Sequence, residues 1–171
     1  ISDYAFWMCT ELKNVVLPAS VSYISDLAFK DCRGINAYFV DPDNPNYSSI
    51  DGCIYSKDSK KLFKVPEIKE SCLLPEGLKC VGSRAFCDCT KLKELRLPDQ
   101  LSEIEDFAFY GCWQLEGINL PKKIMSIGKY AFAGCSGIET LELSGTVEVI
   151  SAHDFDNCTA IKNLVIPAAV Q

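Results

Sequence analysis

The residues of this 171-residue chain with the clearest chemical potential are ten cysteines, one histidine and a few clustered carboxylates. A cysteine activated by His153, with Asp154 beside it, would form a nucleophile–base pair. Cys87-Asp88-Cys89 would offer two thiolates to zinc. Asp41, Asp43, Asn44 and Asp51 would offer oxygens to a hard cation such as calcium. Spacing argues against each. Zinc sites combine two ligand pairs, and no second pair accompanies Cys87 and Cys89. The acidic stretch lacks the glycine and glutamate of a calcium loop, and its residues are turn formers. The chain has no glycine-rich phosphate loop, no nucleophile elbow and no metal-ligand helix. The expectation is a protein without catalytic, metal or cofactor chemistry.

The cysteines instead mark a repeat. Cys9 and Cys32 are 23 residues apart, as are Cys89, Cys112, Cys135 and Cys158 in succession. From Cys89 the unit reads Leu92, Leu95, Leu97-Pro98, Leu101, Ile104 and Ala108-Phe109. From Cys112 it reads Leu115, Ile118, Leu120-Pro121, Ile124, Ile127 and Ala131-Phe132. Such a period lies in the leucine-rich-repeat range. These six cysteines therefore predict a structural ladder, one thiol per coil. In the same register His153 aligns with Tyr4, Leu27, Arg84, Phe107 and Tyr130. So varied a position reads as a tolerant flank, not a catalytic socket.

Within a unit Leu95 and Leu97 alternate with Glu94 and Arg96, the period of a strand with one face inward. Pro98 ends it, having no N–H for a ladder. Leu101 and Ile104, three apart and followed by Ala108-Phe109, predict a short helical or 3₁₀ turn on the return path. The expected fold is an α/β repeat: a curved solenoid with a parallel sheet of about seven short strands on its concave face and helical turns on its convex face. An isolated coil cannot bury its own apolar side, so stability is a nearest-neighbour property.

Residues 41–80 break the period. Cys72, Leu74-Pro75, Leu78 and Val81 recover it, with Pro66 where a cysteine would stand. The extra residues read as one β-hairpin insertion, Tyr47 to Tyr55 against Leu62 to Val65, turning at Ser56–Lys60. Cys53 and Cys72 occupy apolar positions and read as small core residues. Cys80 and Cys87 fall at outward positions, as exposed thiols or as a disulfide.

The formal net charge of −6 excludes a phosphate backbone as the natural partner and disfavours anionic membranes. No apolar run approaches the roughly 18 residues of a membrane span. Residues 1–171 form a single domain. Both ends cut through repeats without a polar cap, so the expectation is a fragment of a longer array, with sheet edges open to end-to-end self-association.

The unit Cys-x-x-Leu-x-x-Ile/Leu-x-Leu-Pro-x-x-Leu/Val-x-x-Ile-x-x-x-Ala-Phe resembles the BspA-like, or treponemal-type, leucine-rich repeat, and Ile127-Gly128-Lys129-Tyr130-Ala131-Phe132-Ala133-Gly134-Cys135 is a close match. The long coil, with Asn44-Pro45-x-Tyr47 and Asp51-Gly52-Cys53-Ile54-Tyr55, resembles the family's extended units. Ser144 and Asp41 depart from the pattern where proline is usual, as does His153-Asp154-Phe155 from its Ala-Phe context. The resemblance implies a secreted or cell-surface protein of anaerobic bacteria or mucosal parasites, engaged in adhesion.

Two candidate sites follow. The first is the concave face, with central outward positions Val16, Phe39, Leu73, Arg96, Asn119, Glu142 and Val165; they vary where the framework does not, and Val16, Phe39 and Leu73 predict an apolar patch. The second is the insertion, with Tyr47, Tyr55 and Phe63. A protein or glycan ligand is the expected partner. The other reading is a spacer presenting a neighbouring anchor or catalytic domain.

Overall fold

The computed structural model describes residues 1–143 and 146–170. Ser144, where the repeat's proline is replaced, lies outside the described residues. The strands are β1 Asn14–Leu17, β2 Ala37–Val40, β3 Tyr47–Ile50, β4 Cys53–Ser56, β5 Lys61–Lys64, β6 Cys80–Val81, β7 Glu94–Leu95, β8 Glu103–Ile104, β9 Gly117–Ile118, β10 Ser126–Ile127, β11 Thr140–Glu142 and β12 Asn163–Val165. They build a β-solenoid of about seven turns with two strand-bearing sides.

The front side carries six of the roughly seven expected strands, as three separate two-stranded pairs rather than one continuous sheet. β1 pairs in parallel with β2, β7 with β9 and β11 with β12, each in one-repeat register: Asn14 with Ala37, Glu94 with Gly117, Thr140 with Asn163. Tyr38, Leu95, Ile118 and Leu141 point inward and are buried. The equivalent stretch Ser71–Leu74 runs through this side without strand pairing.

The return path corrects the sequence reading. It contains no helix among the described residues; it holds the parallel strands β6, β8 and β10, with Val81, Ile104 and Ile127 in line. The turn that follows alternates its amides. Those of Phe107, Phe109 and Gly111 donate to Lys129, Ala131 and Ala133 of the next coil at 2.8–2.9 Å. Those of Ala108, Tyr110 and Cys112 donate three residues back. A helix would keep every amide local. Left-handed residues four apart prevent one: Arg84 and Asp88, Phe107 and Gly111, Tyr130 and Gly134, His153 and Asn157 all have positive φ.

Two ladders run through the core. Phe86, Phe109, Phe132 and Phe155 stack face to face, centroids 5.0, 5.1 and 5.6 Å apart. The thiols of Cys112, Cys135 and Cys158 each donate to the carbonyl of the phenylalanine one coil back, at 3.1 Å, and Cys32 does so to Phe6 at 2.8 Å. Cys89 reaches only Pro66, at 3.9 Å, because the insertion has displaced the phenylalanine turn. Not every cysteine of the repeat is buried. Cys9 is exposed and Cys158 half-buried, since no described coil closes over Cys9 and the coil of Cys158 is thinly covered.

The insertion is a three-stranded meander rather than one hairpin. β3 pairs antiparallel with β4, β4 antiparallel with β5, and β5 parallel with β6, so the meander extends the back sheet in the order β10-β8-β6-β5-β4-β3. Asp51 and Gly52 both take positive φ, 49° and 72°, the geometry of a tight hairpin turn; they fold the expected first strand back on itself. Asn44, fully buried, anchors the entry: its amide donates to the carbonyls of Pro18 and Val21, and its oxygen accepts from the amides of Asn46 and Tyr47. Asp154, in the alanine position, is buried; its carboxylate accepts from Ser151 N, and its carbonyl still receives Phe132 N at 3.0 Å.

This meander overturns two expectations. Tyr47 and Tyr55 are core residues, and Phe63 is the one ring of the three left partly accessible. Cys80 and Cys87 are buried free thiols, neither exposed nor bridged. β5 brings Lys61 opposite Cys80 and so covers a position that other coils leave open.

Candidate interaction face

Outward residues of the front strands alternate with inward ones, so the pleat fixes which side chains reach solvent; only in β12 is the inward residue, Leu164, itself exposed. All seven central positions, Val16, Phe39, Leu73, Arg96, Asn119, Glu142 and Val165, are exposed. Val16, Phe39 and Leu73 fall in the N-terminal half, and Leu73, on the stretch without strand pairing, is the most open at 85%.

Over the coils that follow, the face hollows into an open depression of about 1530 Å³. Arg96, Asn119 and Glu142 lie along it, with Glu94, Thr140 and Ser71 beside them. Its lining carries the carboxylates of Glu94, Asp99, Glu116, Glu139 and Glu142 against the cations of Arg96, Lys122 and Lys123. Some charges are tied across coils: Lys162 to Glu139 at 2.8 Å, and Lys123 to the Gln100 amide oxygen at 2.9 Å. Exposed pairs of this kind contribute little to stability but set the sign pattern a partner meets. The face therefore carries exposed apolar residues in its N-terminal half, with Val16 beside Phe39, and a polar, net acidic hollow over the later coils.

The other chemistry-bearing residues are placed apart from this face. His153 lies flat on Tyr130, centroids 4.9 Å apart, and its Nδ1 meets Asp156 at 2.6 Å. Burial pushes Cys80, Cys87 and Cys158 up to about 12, which leaves them protonated and unreactive at neutral pH. The Cys87 thiol donates to Asp88 while Cys89 turns to Pro66, so the two do not converge. Asp41 accepts the amide of Asp43, and Asp51 pairs with Lys69 at 2.5 Å. Among the described residues Cys80, Glu103 and Glu105 do converge, but Glu105 already holds Lys61 and the Ser83 amide.

Sequence reasoning missed a surface column. The Arg84 guanidinium lies 4.0 Å from the Phe107 centroid, Phe107 stacks on Tyr130 at 4.9 Å, and Tyr130 stacks on His153. The position read as a tolerant flank is a stack of planar groups. The signal was present: those four coils place a flat side chain there.

The match to a family model decides the family. The model of the BspA type leucine rich repeat region matches in six copies over residues 1–70 and 56–171. The chain belongs to the BspA-type leucine-rich repeat family. Solved structures share its fold. A leucine-rich repeat protein from Eubacterium ventriosum is 22% identical with a TM-score of 0.81, covering 94% of this chain and 50% of that one. A leucine rich cell surface protein from Faecalibacterium prausnitzii is 24% identical with a TM-score of 0.74, covering 90% and 48%. The pneumococcal vaccine antigen PcpA is 22% identical with a TM-score of 0.71, covering 94% and 44%. No curated protein matches the sequence. This BspA-type array spans about half the length of the solved structures it resembles. No helix among its described residues is long and apolar enough to cross a membrane.

Proposed function

We propose that this chain is the interaction module of a secreted or cell-surface adhesion protein, taking a protein or glycan of another cell or host through its front face. The carrying observation is that all seven central front positions are exposed and run from apolar through charged and polar back to apolar along the stack, while the positions between them are framework. Exposed apolar residues on the same face as a charged hollow fit a partner of mixed character. The names of two similar solved structures, a cell surface protein and a vaccine antigen, support an exterior location. Burial of Tyr47 and Tyr55 moves the weight from the insertion to this face.

The test is a binding screen of the chain against immobilised matrix proteins and glycans, repeated with Phe39→Ala and Arg96→Ala. A weakening of about tenfold or more in either variant, the loss of one good contact, is expected. Unchanged binding in both would move the site off this face. The absence of any ligand would favour the second reading, in which the solenoid is a spacer that holds a neighbouring domain.

A further inference from the structure

Cys53 and Cys72 stand 3.9 Å apart, sulfur to sulfur, in the core where the meander meets the coil that follows it. Disulfide bonding needs about 2 Å, so the pair is in reach once one side chain moves. The partners differ in freedom. Cys53 sits in β4, held between β3 and β5. Cys72 sits in Ser71–Leu74, which makes no strand pairing and whose next residue, Leu73, projects into solvent. The Lys69–Asp51 ion pair already clamps the same two segments.

We propose that Cys53 and Cys72 are an oxidation site: a small hydroperoxide converts them to a disulfide that fastens the meander to the next coil. The Cys72 thiolate attacks one oxygen of the hydroperoxide, the O–O bond breaks, and the departing alkoxide takes up a proton to leave as an alcohol. Cys72 is then a sulfenic acid. The Cys53 sulfur attacks it, the S–O bond breaks, and hydroxide leaves as water with the proton that Cys53 gives up. Two thiols and one hydroperoxide become one disulfide, one alcohol and one water, or a disulfide and two waters when the oxidant is hydrogen peroxide. The order of attack follows from the surroundings. The hydrogen bond between the two sulfurs holds the Cys72 thiol below its ordinary range, with the Lys69 ammonium acting in the same sense, while Cys53 is pushed far up by that same bond and by burial. Cys72 is 9% exposed and Cys53 not at all, so Cys72 is the sulfur that an oxidant meets first. In the core ladder the thiols of Cys112 and Cys135 also lie near one another, but each donates to a phenylalanine carbonyl one coil back, at 3.1 Å.

The test treats the whole chain, in a Cys9→Ser background, with hydrogen peroxide and maps the peptides. A Cys53–Cys72 crosslink in excess over every other cysteine pairing is expected, reversed by dithiothreitol and accompanied by a rise in thermal midpoint. With Cys53→Ser, Cys72 should instead become trappable by dimedone. Oxidation of other cysteines without this crosslink would overturn the proposal, as would a Cys72 that dimedone leaves unlabelled in the variant. The crosslink measurement needs no substitution at the pair, so a poorly folding variant does not remove the test.

Discussion

The thiol of Cys112 donates to the carbonyl oxygen of Phe86, 26 residues earlier and one coil behind, at 3.1 Å. The same carbonyl accepts the amide of Cys89 at 3.0 Å, so both its lone pairs are used. The repeated cysteine is thus a small apolar side chain that also satisfies a buried acceptor. Cys112→Ala should cost about 1–3 kcal/mol, from a small cavity and a lost acceptor partner. Cys112→Ser, which keeps a donor, should cost less. Urea denaturation midpoints check the order; equal losses would show that packing alone matters there.

Asn44 makes four hydrogen bonds from a fully buried site and stands in for the turn that the insertion removes. Asn44→Ala should destabilise by on the order of 3 kcal/mol, because carbonyls and amides on both sides lose partners away from water. Amide hydrogen exchange should rise first at Asn46 and Tyr47, not in the distant coils, as expected of a stack stabilised by nearest neighbours.

The surface column predicts a graded effect. Phe107→Ala removes stacking on Tyr130 and the guanidinium contact of Arg84 together, and should cost about 1–2 kcal/mol. Tyr130→Ala breaks two stacks and should cost a similar amount. The double variant should lose less than the sum, since the two rings share a contact. Thermal melts of the four proteins measure this, and strict additivity would contradict a coupled stack.

Glu67 is buried, with one carboxylate oxygen lacking a hydrogen bond. Burial raises it from 4.5 to about 7; Lys64 and Arg33 oppose the rise, and Asp88 and Asp31 assist it. A carboxyl raised in the folded state is stabilising while protonated. Its contribution is full below the unfolded value and is lost as pH climbs through about 7. Glu67→Gln should therefore match the parent near pH 4.5 and exceed it above pH 7 by on the order of 2 kcal/mol. Chemical denaturation across that range checks the sign; a variant equally stable relative to the parent at both ends would refute the shift.

The sequence by itself determined the period, the inward and outward rows of the front strands, the regular spacing of the cysteines and the place of the insertion. These are local facts repeated at a constant interval: Leu95 and Leu97 alternate whatever lies beside them. The front-face residues were legible for the same reason, since strand alternation fixes which side chains leave the core. The tertiary structure decided what depended on neighbours. Leu101 and Ile104, three apart, suit a helical turn as well as an extended return, and the choice fell to inter-coil hydrogen bonds that no single coil contains. Arg84, Phe107, Tyr130 and His153 adopt the left-handed conformation without glycine to announce it, their planar side chains stacking from coil to coil. Tyr47, Tyr55 and Cys80 were buried by strands β3 to β5 folding over the stack, and the closeness of Cys53 to Cys72 arose from the same packing. Periodic patterning records which side faces inward; it does not record what another segment later covers.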